Sequence, residues 1–245
     1  MFKKPSEGRV KVIAVLLFLT AQVPGISNEE FFVDEFDNRL LPKWNVSDAF
    51  PPGNVKVDGG KLILKNETLL KINSPQSNTW LDYTTTLKLR FTQIQERSSF
   101  TVNVRHSLGR FNFWTGEKFT FYPHEENIRV NTFRPDKQPL DEEDLRQAVK
   151  NHANAQHNFD LKTWFLIVIE IIDNSFTLFI DDKELLSFVD KEAVAGTIGL
   201  STSDEDIGEF RLELDFIRVK EGNELSIKPV NAVSTAWAAI KNSLR

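Results

Sequence analysis

Cysteine is absent from the 245 residues of this chain. Its absence excludes disulfide bonds, cysteine-ligated zinc, thiol catalysis and a lipid anchor attached to a cysteine. A domain of this length must therefore be held together by its hydrophobic core. With 20 Phe and 5 Trp, the chain contains the material for a substantial core.

The chain also lacks an excess of positive charge. Its formal net charge is −5, and the first 27 residues carry +3, so their removal would leave −8. Nonspecific binding to nucleic acid or to an anionic membrane requires a basic face. The charge balance therefore argues against nonspecific binding to nucleic acid or to an anionic membrane, and no nucleic acid partner is expected.

A long apolar run is missing as well. The apolar stretch near the N-terminus, Val12–Ala21, is well short of the roughly 20 residues that a membrane span needs. It follows a basic segment and precedes Pro24–Ser27, which is the layout of a signal peptide. The sequence predicts cleavage after Ser27 and a secreted, periplasmic or extracellular protein with no transmembrane segment in the mature chain. Secretion without cysteine favours a bacterial source.

Recognisable catalytic and metal-binding motifs are missing too. The sequence has no glycine-rich phosphate loop, no nucleophile elbow and no zinc motif. Its four histidines, at 106, 124, 152 and 157, lack the spacing of metal ligands. We expect them to be solvated or in loops.

What is present is an alternation of apolar and polar residues with a period of two. It recurs in 85–91, 100–105, 119–122 and 128–133, with turn residues at short intervals. This pattern is typical of antiparallel strands that bury one face. The segment Trp164–Ile172 is almost continuously apolar, as for a strand buried on both faces, and Trp44, Trp80 and Trp164 are predicted to be core residues.

The last strand alternates up to Asp215, after which the phase slips at Phe216 and Ile217, indicating a bulge. The sequence therefore predicts an all-β, two-sheet antiparallel sandwich. The predicted organisation is a signal peptide over 1–27, one domain over 28–221 and a C-terminal tail over 222–245.

One inserted segment breaks the alternation. Asp141–Lys150 has acidic residues in its first turn and Lys150 at its end, which suits the dipole of a short helix. A second short helix is predicted in the tail, over 235–241.

Three stretches together resemble the concanavalin A-like lectin and glucanase superfamily. Asp34-Glu-Phe36 with the following Leu-Pro-Lys-Trp44 is similar to the first strand of laminarinase-type and LamG-like jelly rolls. Asp58-Gly-Gly-Lys-Leu62 is similar to an early strand, and Leu214–Val219 to the closing strand. The resemblance implies a jelly roll whose first and last strands are neighbours, but it implies no particular activity.

The catalytic motif of those glucanases, Glu-x-Asp-x-Glu on one strand, is not found. Retaining hydrolysis needs two carboxyl groups roughly 5 Å apart. Glu170 and Asp173 have the wrong spacing, and Glu213-Leu-Asp215 lacks the second Glu. We therefore interpret the domain as noncatalytic, leaving a glycosidase of the same fold, of the glucanase or 3-keto-disaccharide hydrolase type, as the alternative.

Four outward strand residues, together with Trp114 in the predicted loop 110–116, could line a concave, carbohydrate-binding sheet face. Aromatic rings stack on sugar C–H groups and planar polar groups bind hydroxyls. The alternative is an ordinary solvated face with Trp114 packed under its loop. The candidates are Arg105, Trp114, Tyr122, Arg129 and Asn131.

The resemblance also implies a structural calcium ion between the first and last strands. Its ligands here would be the Glu35 and Asp215 carboxylates and the Gly60 carbonyl. Calcium accepts such hard oxygen ligands, and two adjacent carboxylates repel unless a cation bridges them. The alternative is that both carboxylates are solvated, or that Asp215 pairs with Arg211 or Arg218.

Together these observations predict a secreted, noncatalytic carbohydrate-binding or adhesive module. The expected partner is a polysaccharide or other glycan, with an extracellular protein as a further candidate. A structural or protein-interaction domain is a second alternative beside the enzyme.

Overall fold

The architecture was determined from a computed structural model, which describes residues 29–108, 114–133, 148–204 and 209–222. Within these ranges the chain forms fifteen strands and two short 3₁₀ turns, Pro52–Asn54 and Pro75–Thr79. The strands are β1 Glu30–Asp34, β2 Trp44–Val46, β3 Val55–Val57, β4 Leu62–Lys65, β5 Thr68–Ile72, β6 Tyr83–Gln93, β7 Ser98–Leu108, β8 Trp114–Tyr122, β9 Asn127–Phe133, β10 Val149–Gln156, β11 Phe165–Ile172, β12 Ser175–Ile180, β13 Lys183–Val189, β14 Thr197–Asp204 and β15 Arg211–Glu221.

The strands form two antiparallel sheets. The eight-stranded sheet has the order β13-β12-β11-β6-β15-β4-β3, with β1 also paired to β15. The seven-stranded sheet has the order β10-β9-β8-β7-β14-β5-β2. Many neighbours are distant in the sequence, so the topology depends on long-range pairing and not on hairpins alone.

The core lies between the two sheets and consists of the inward residues of each strand. Leu87, Leu89 and Phe91 of β6 are fully buried, as are Phe119 and Phe121 of β8. The period-two alternation therefore predicted the buried face of these strands correctly. Trp44 and Trp80 are also buried, which confirms their assignment to the core.

The first and last strands pair as predicted. β1 runs antiparallel to β15, with Asp34 opposite Ile217. A bulge displaces the register of β15 between Leu214 and Phe216, next to the predicted phase slip. The sequence-derived fold, a two-sheet antiparallel sandwich, is therefore confirmed.

Three local predictions need correction. Trp164 is half-buried on the outer face, beneath the cationic groups of Lys88 and Arg90 at 5.3 and 4.6 Å from its ring centre. The strand after it is buried on one face only, because β11 alternates between buried and half-buried residues. Val149 and Lys150, predicted at the end of a helix, belong to β10.

The remaining predictions about local segments of the chain lie outside the described residues. They are the signal peptide over 1–27, the first part of the inserted helix over 141–147 and the tail helix over 235–241. Among the residues that are described, no helix has the length and apolarity needed to span a membrane.

Candidate functional site

A row of polar side chains crosses the outer face of the seven-stranded sheet. Strand pairing places one outward residue of each strand directly opposite an outward residue of the neighbouring strand, from β2 at one edge of the sheet to β10 at the other. We call this set the polar row. Its members are Asn45, Lys71, Gly199, Asn103, Lys118, Asn131 and Asn151. Four amides and two ammonium groups therefore lie side by side across the whole sheet.

A second row runs beside the first, two residues along each strand from β5 to β9 and three along the bulged β10. It contains Leu69, Ser201, Thr101, Thr120, Arg129 and Asn154. The thirteen positions of the two rows hold three cationic side chains and no carboxylate. This face thus differs in charge from the chain as a whole, which is net negative.

His106 lies at the centre of the polar row. Its ring covers Gly199, where an added Cβ would lie 3.5 Å from the imidazole Cδ2. Burial, together with the smaller effect of the positive charges of Lys71 and Lys118, lowers the His106 pKa to about 4. The imidazole is therefore neutral at pH 7.

A cavity of about 270 Å³ opens beside this histidine at the β2 end of the row. Its walls combine the polar groups of Asn45, Ser47, Lys71 and His106 with apolar contributions from Val46 and Leu69. A mixed lining of this kind suits a small polar group that also has an apolar side.

Three of the predicted binding residues share this face. The guanidinium carbon of Arg129 lies 4.5 Å from the centre of the Tyr122 ring, and Arg129 also forms an ion pair with Glu125. Asn131 is a member of the polar row. Trp114 begins β8 opposite Leu108, but its side chain lies outside the described part of the structure.

Arg105 does not belong to this face, and the prediction of its outward orientation is wrong. Its side chain is 1% exposed and turned into the space between the sheets. There its guanidinium donates to the Leu81 and Asp173 carbonyls, at 2.9 and 2.5 Å. It also lies over the ring of Phe176.

A bulge in β7 explains this reversal. Arg105 has a φ of 48°, and the register with both neighbouring strands shifts around it. Glycine stands beside the bulge on each side. A Cβ at Gly196 would lie 2.4 Å from the Arg105 carbonyl carbon, and one at Gly116 would lie 2.7 Å from the Val104 oxygen.

The prediction that the histidines are solvated or in loops holds for the exposed His124 and for His157, which lies in the loop after β10, but not for the other two. His106 is buried. The His152 ring stacks on Phe188 and lies 3.3 Å from the buried Asp190 carboxylate. His157 packs edge-on against Phe159 and Phe165, and burial lowers its pKa.

Two of the carboxylates that come nearest to a catalytic motif, Glu213 and Asp215, form ion pairs with basic residues. Glu213 accepts two hydrogen bonds from Arg90, at 2.7 and 3.0 Å. Asp215 lies 2.8 Å from the Lys88 ammonium. Glu170 is half-buried, and burial raises its pKa. Glu117 is fully buried on the inward side of β8.

The three positions proposed for calcium meet at one junction along β15. Pairing with β4 extends to Leu214 and pairing with β1 begins at Ile217. Asp215 lies in the gap between them. Glu35 directly follows the last paired residue of β1, and Gly60, with a φ of 70°, lies in the turn that leads into β4.

The charges at this junction are already balanced. Glu35 pairs with Arg218 at 2.9 Å, while Asp215 pairs with Lys88. The argument that two adjacent carboxylates require a bridging cation therefore does not apply. Within the described ranges, no group of three or more histidine and acidic side chains could hold a metal ion.

Sequence reasoning missed the central residues of the face, which are Lys71, His106, Lys118 and Gly199. Alternation gave Asn103 the correct outward orientation. The register of seven strands, which brings these residues into one row, leaves no local signal in the sequence.

Comparison with known proteins identifies the fold. No family model matches the sequence, and no curated protein matches it. Among solved structures, the β-glucanase of Bacillus licheniformis is similar with a TM-score of 0.59 and 10% identity, over 80% of this chain and 100% of that chain. The laminarinase from Rhodothermus marinus is similar with a TM-score of 0.59 and 13% identity, over 80% and 98% of the two chains.

LamAcat from Zobellia galactanivorans is similar at 11% identity, with a TM-score of 0.58 and coverage of 79% of this chain and 98% of that chain. At such identities the likeness concerns the fold alone. The chain has the concanavalin A-like jelly-roll fold.

Proposed function

We propose that this protein is a noncatalytic carbohydrate-binding or adhesive module that is exported from the cell. The observation that carries the proposal is the polar row, which crosses all seven strands of one sheet. Each asparagine amide offers both a donor and an acceptor, as needed for sugar hydroxyl groups. An extended polysaccharide lying across the strands would meet such a group on most of them.

The aromatic part of the site supports the same function. Tyr122 lies on this face with Arg129 over its ring, and Arg129 is two residues from Asn131 of the polar row on β9. We propose that Tyr122, Arg129 and Asn131, together with Trp114, contact the sugar. Arg105 is withdrawn from this set because its side chain is buried.

The absence of paired acids on the two described rows supports a noncatalytic role. Glycoside hydrolysis by the usual route requires two carboxyl groups on opposite sides of the scissile bond. The thirteen row positions provide none, and Glu117 of β8 points to the interior.

The proposal is tested by screening the purified protein against an array of polysaccharides and oligosaccharides. We expect binding to at least one glycan, weakened by Asn131→Ala and by Tyr122→Ala. Asn174→Ala, in the turn between β11 and β12 of the opposite sheet, is the matched control and should bind like the parent.

Two results would contradict the proposal. Failure to bind any glycan would favour a structural or protein-interaction domain. Hydrolysis of a β-glucan or a disaccharide, abolished by a single carboxylate substitution, would favour the enzyme. Export is tested separately by N-terminal sequencing of the protein recovered outside the cell, which should begin at Asn28.

A calcium ion at the junction of β1, β4 and β15 is a further part of the proposal. The positions of Glu35, Gly60 and Asp215 support it, whereas the ion pairs with Arg218 and Lys88 compete with it. Calcium would have to displace both cations, so we expect only weak binding there.

A further inference from the structure

We infer that the polar row takes an anionic polysaccharide, one whose sugars carry carboxylate or sulfate groups. The inference rests on the proposed function and specifies its ligand class. It departs from two of the solved structures of the same fold, whose names refer to a β-glucanase and a laminarinase.

The segregation of charge is the first argument. The full chain has 30 basic and 35 acidic residues. The two rows nevertheless contain three basic residues and no acidic one. Arg129 pairs with Glu125 at the exposed β8–β9 turn. The cations inside the polar row itself are Lys71 and Lys118.

The spacing of these two lysines is the second argument. Lys71 lies on β5 and Lys118 on β8, with β14 and β7 between them. Three strand spacings of about 4.8 Å put their backbones about 14 Å apart. Between them the row offers the Gly199 backbone and the Asn103 amide. A polymer that carries an anion at intervals can therefore reach both ammonium groups while its hydroxyls contact the amides.

The burial of the lysines is the third argument. Both are partly buried, and desolvation lowers the pKa of each. The Lys118 ammonium lies 5.7 Å over the Phe133 ring. An anion brought next to a desolvated ammonium offsets this loss of hydration. A neutral sugar offers no such compensation.

Nucleic acid fits the same surface less well. Its backbone carries one charge per about 1.7 Å of duplex, and binding requires many basic contacts. A row with two lysines on a net-negative chain provides few. The asparagine-rich composition suits an anionic polymer that is also rich in hydroxyl groups.

The test compares ligands by affinity electrophoresis of the full chain at low and moderate salt. Alginate and polygalacturonate represent carboxylated chains, and dextran sulfate represents sulfated ones. Laminarin and dextran are the uncharged polysaccharides used for comparison, and single-stranded polyuridylate represents nucleic acid. We expect retardation by at least one acidic polysaccharide and little by the neutral ones, with weaker binding as salt is raised.

Substitution links the binding to the row. Lys118→Gln should weaken binding to the acidic polysaccharide roughly tenfold, since it removes one charge-assisted contact. Lys183→Gln, at an exposed position on the edge of the opposite sheet, should have no effect. Melting curves of both variants establish that they are folded.

Each other outcome overturns the inference. Equal or tighter binding of laminarin or dextran would leave the proposed function standing but remove the anionic ligand. If no polysaccharide binds, both the proposed function and the anionic ligand class are contradicted. Binding of polyuridylate as tight as that of any polysaccharide would replace the glycan with nucleic acid. If Lys118→Gln binds the acidic polysaccharide as tightly as the parent does, the binding site does not include the polar row.

Discussion

Arg105 is the residue whose environment differs most from its sequence context. It lies within the alternating strand β7, yet its guanidinium lies between the sheets with backbone carbonyls as acceptors. Its backbone N–H also donates to the Tyr83 hydroxyl at 2.6 Å. A buried arginine of this kind links β7, the start of β6 and the β11–β12 turn.

Replacing Arg105 with lysine should therefore destabilise the fold. A lysine keeps the charge but cannot reproduce the planar set of donors. We expect Arg105→Lys to lower the free energy of unfolding by about 3 kcal/mol, measured by urea denaturation. Arg129→Lys, at an exposed ion pair, should change it by less than about 0.5 kcal/mol. Equal effects of the two substitutions would contradict this role.

His106 should make stability depend on pH. Its pKa is about 4 in the folded protein, against about 6.5 in an unfolded chain. Between these values the unfolded chain binds a proton that the folded chain does not, so stability falls as the pH is lowered from 6.5 to 4. The loss is on the order of 3 kcal/mol and is complete below pH 4.

The measurement is urea denaturation across this pH range for the parent and for His106→Gln. For each protein, the slope of the free energy of unfolding against pH is determined, and the difference between the two slopes gives the contribution of His106. This comparison removes the contribution of His157, because burial lowers the pKa of His157 in both proteins. Parallel stability profiles would show that His106 titrates normally. The charges facing the ring are those of Lys71 and Lys118, and both remain protonated throughout this range.

Among the strands, β7 is held in its bulged form by its neighbours. Gly116 on β8 and Gly196 before β14 both approach the backbone around Arg105. A side chain at either position would occupy the space of the bulged carbonyls. The bulge therefore depends on glycine in two other segments of the chain.

Gly196→Ala should destabilise the protein because its Cβ would lie 2.4 Å from the Arg105 carbonyl carbon. Relieving such overpacking costs about 1–3 kcal/mol, which a melting curve would detect. Gly53→Ala is the matched control, since no atom lies within 4 Å of the added Cβ. A Gly196→Ala protein as stable as the Gly53→Ala protein would contradict this account of the bulge.

At the level of the complete sandwich, β15 connects the two ends of the domain. It pairs with β6 along most of its length and with β4 and β1 on its other edge. A cation bound at the gap between β4 and β1 would add a further link there. Selective binding to the folded state would raise the melting temperature.

We expect millimolar calcium to raise the melting temperature of the parent, relative to EDTA. The rise should be about 2–4 °C for each kcal/mol of binding free energy. It should disappear in Asp215→Asn. An unchanged melting temperature of the parent in calcium would remove the ion from the proposal.

The sequence by itself determined the class of fold and the buried face of most central strands. The alternation of apolar and polar residues indicates which side of a strand is buried, and it can be read from the sequence of that strand alone. It predicted β6, β8 and β9 correctly and placed Tyr122, Arg129 and Asn131 on the outer face. The similarity of its two ends to jelly-roll strands predicted the pairing of β1 with β15.

Tertiary contacts determined the rest. β10 has the polar sequence Val149–Gln156 and extends only because it pairs with β9 at the sheet edge. Arg105 turned inward because two distant glycines admit a bulge. The polar row exists because register aligns seven strands whose row residues lie between Asn45 and Gly199 in the sequence. Pairing and register depend on the whole chain, so no single segment encodes them.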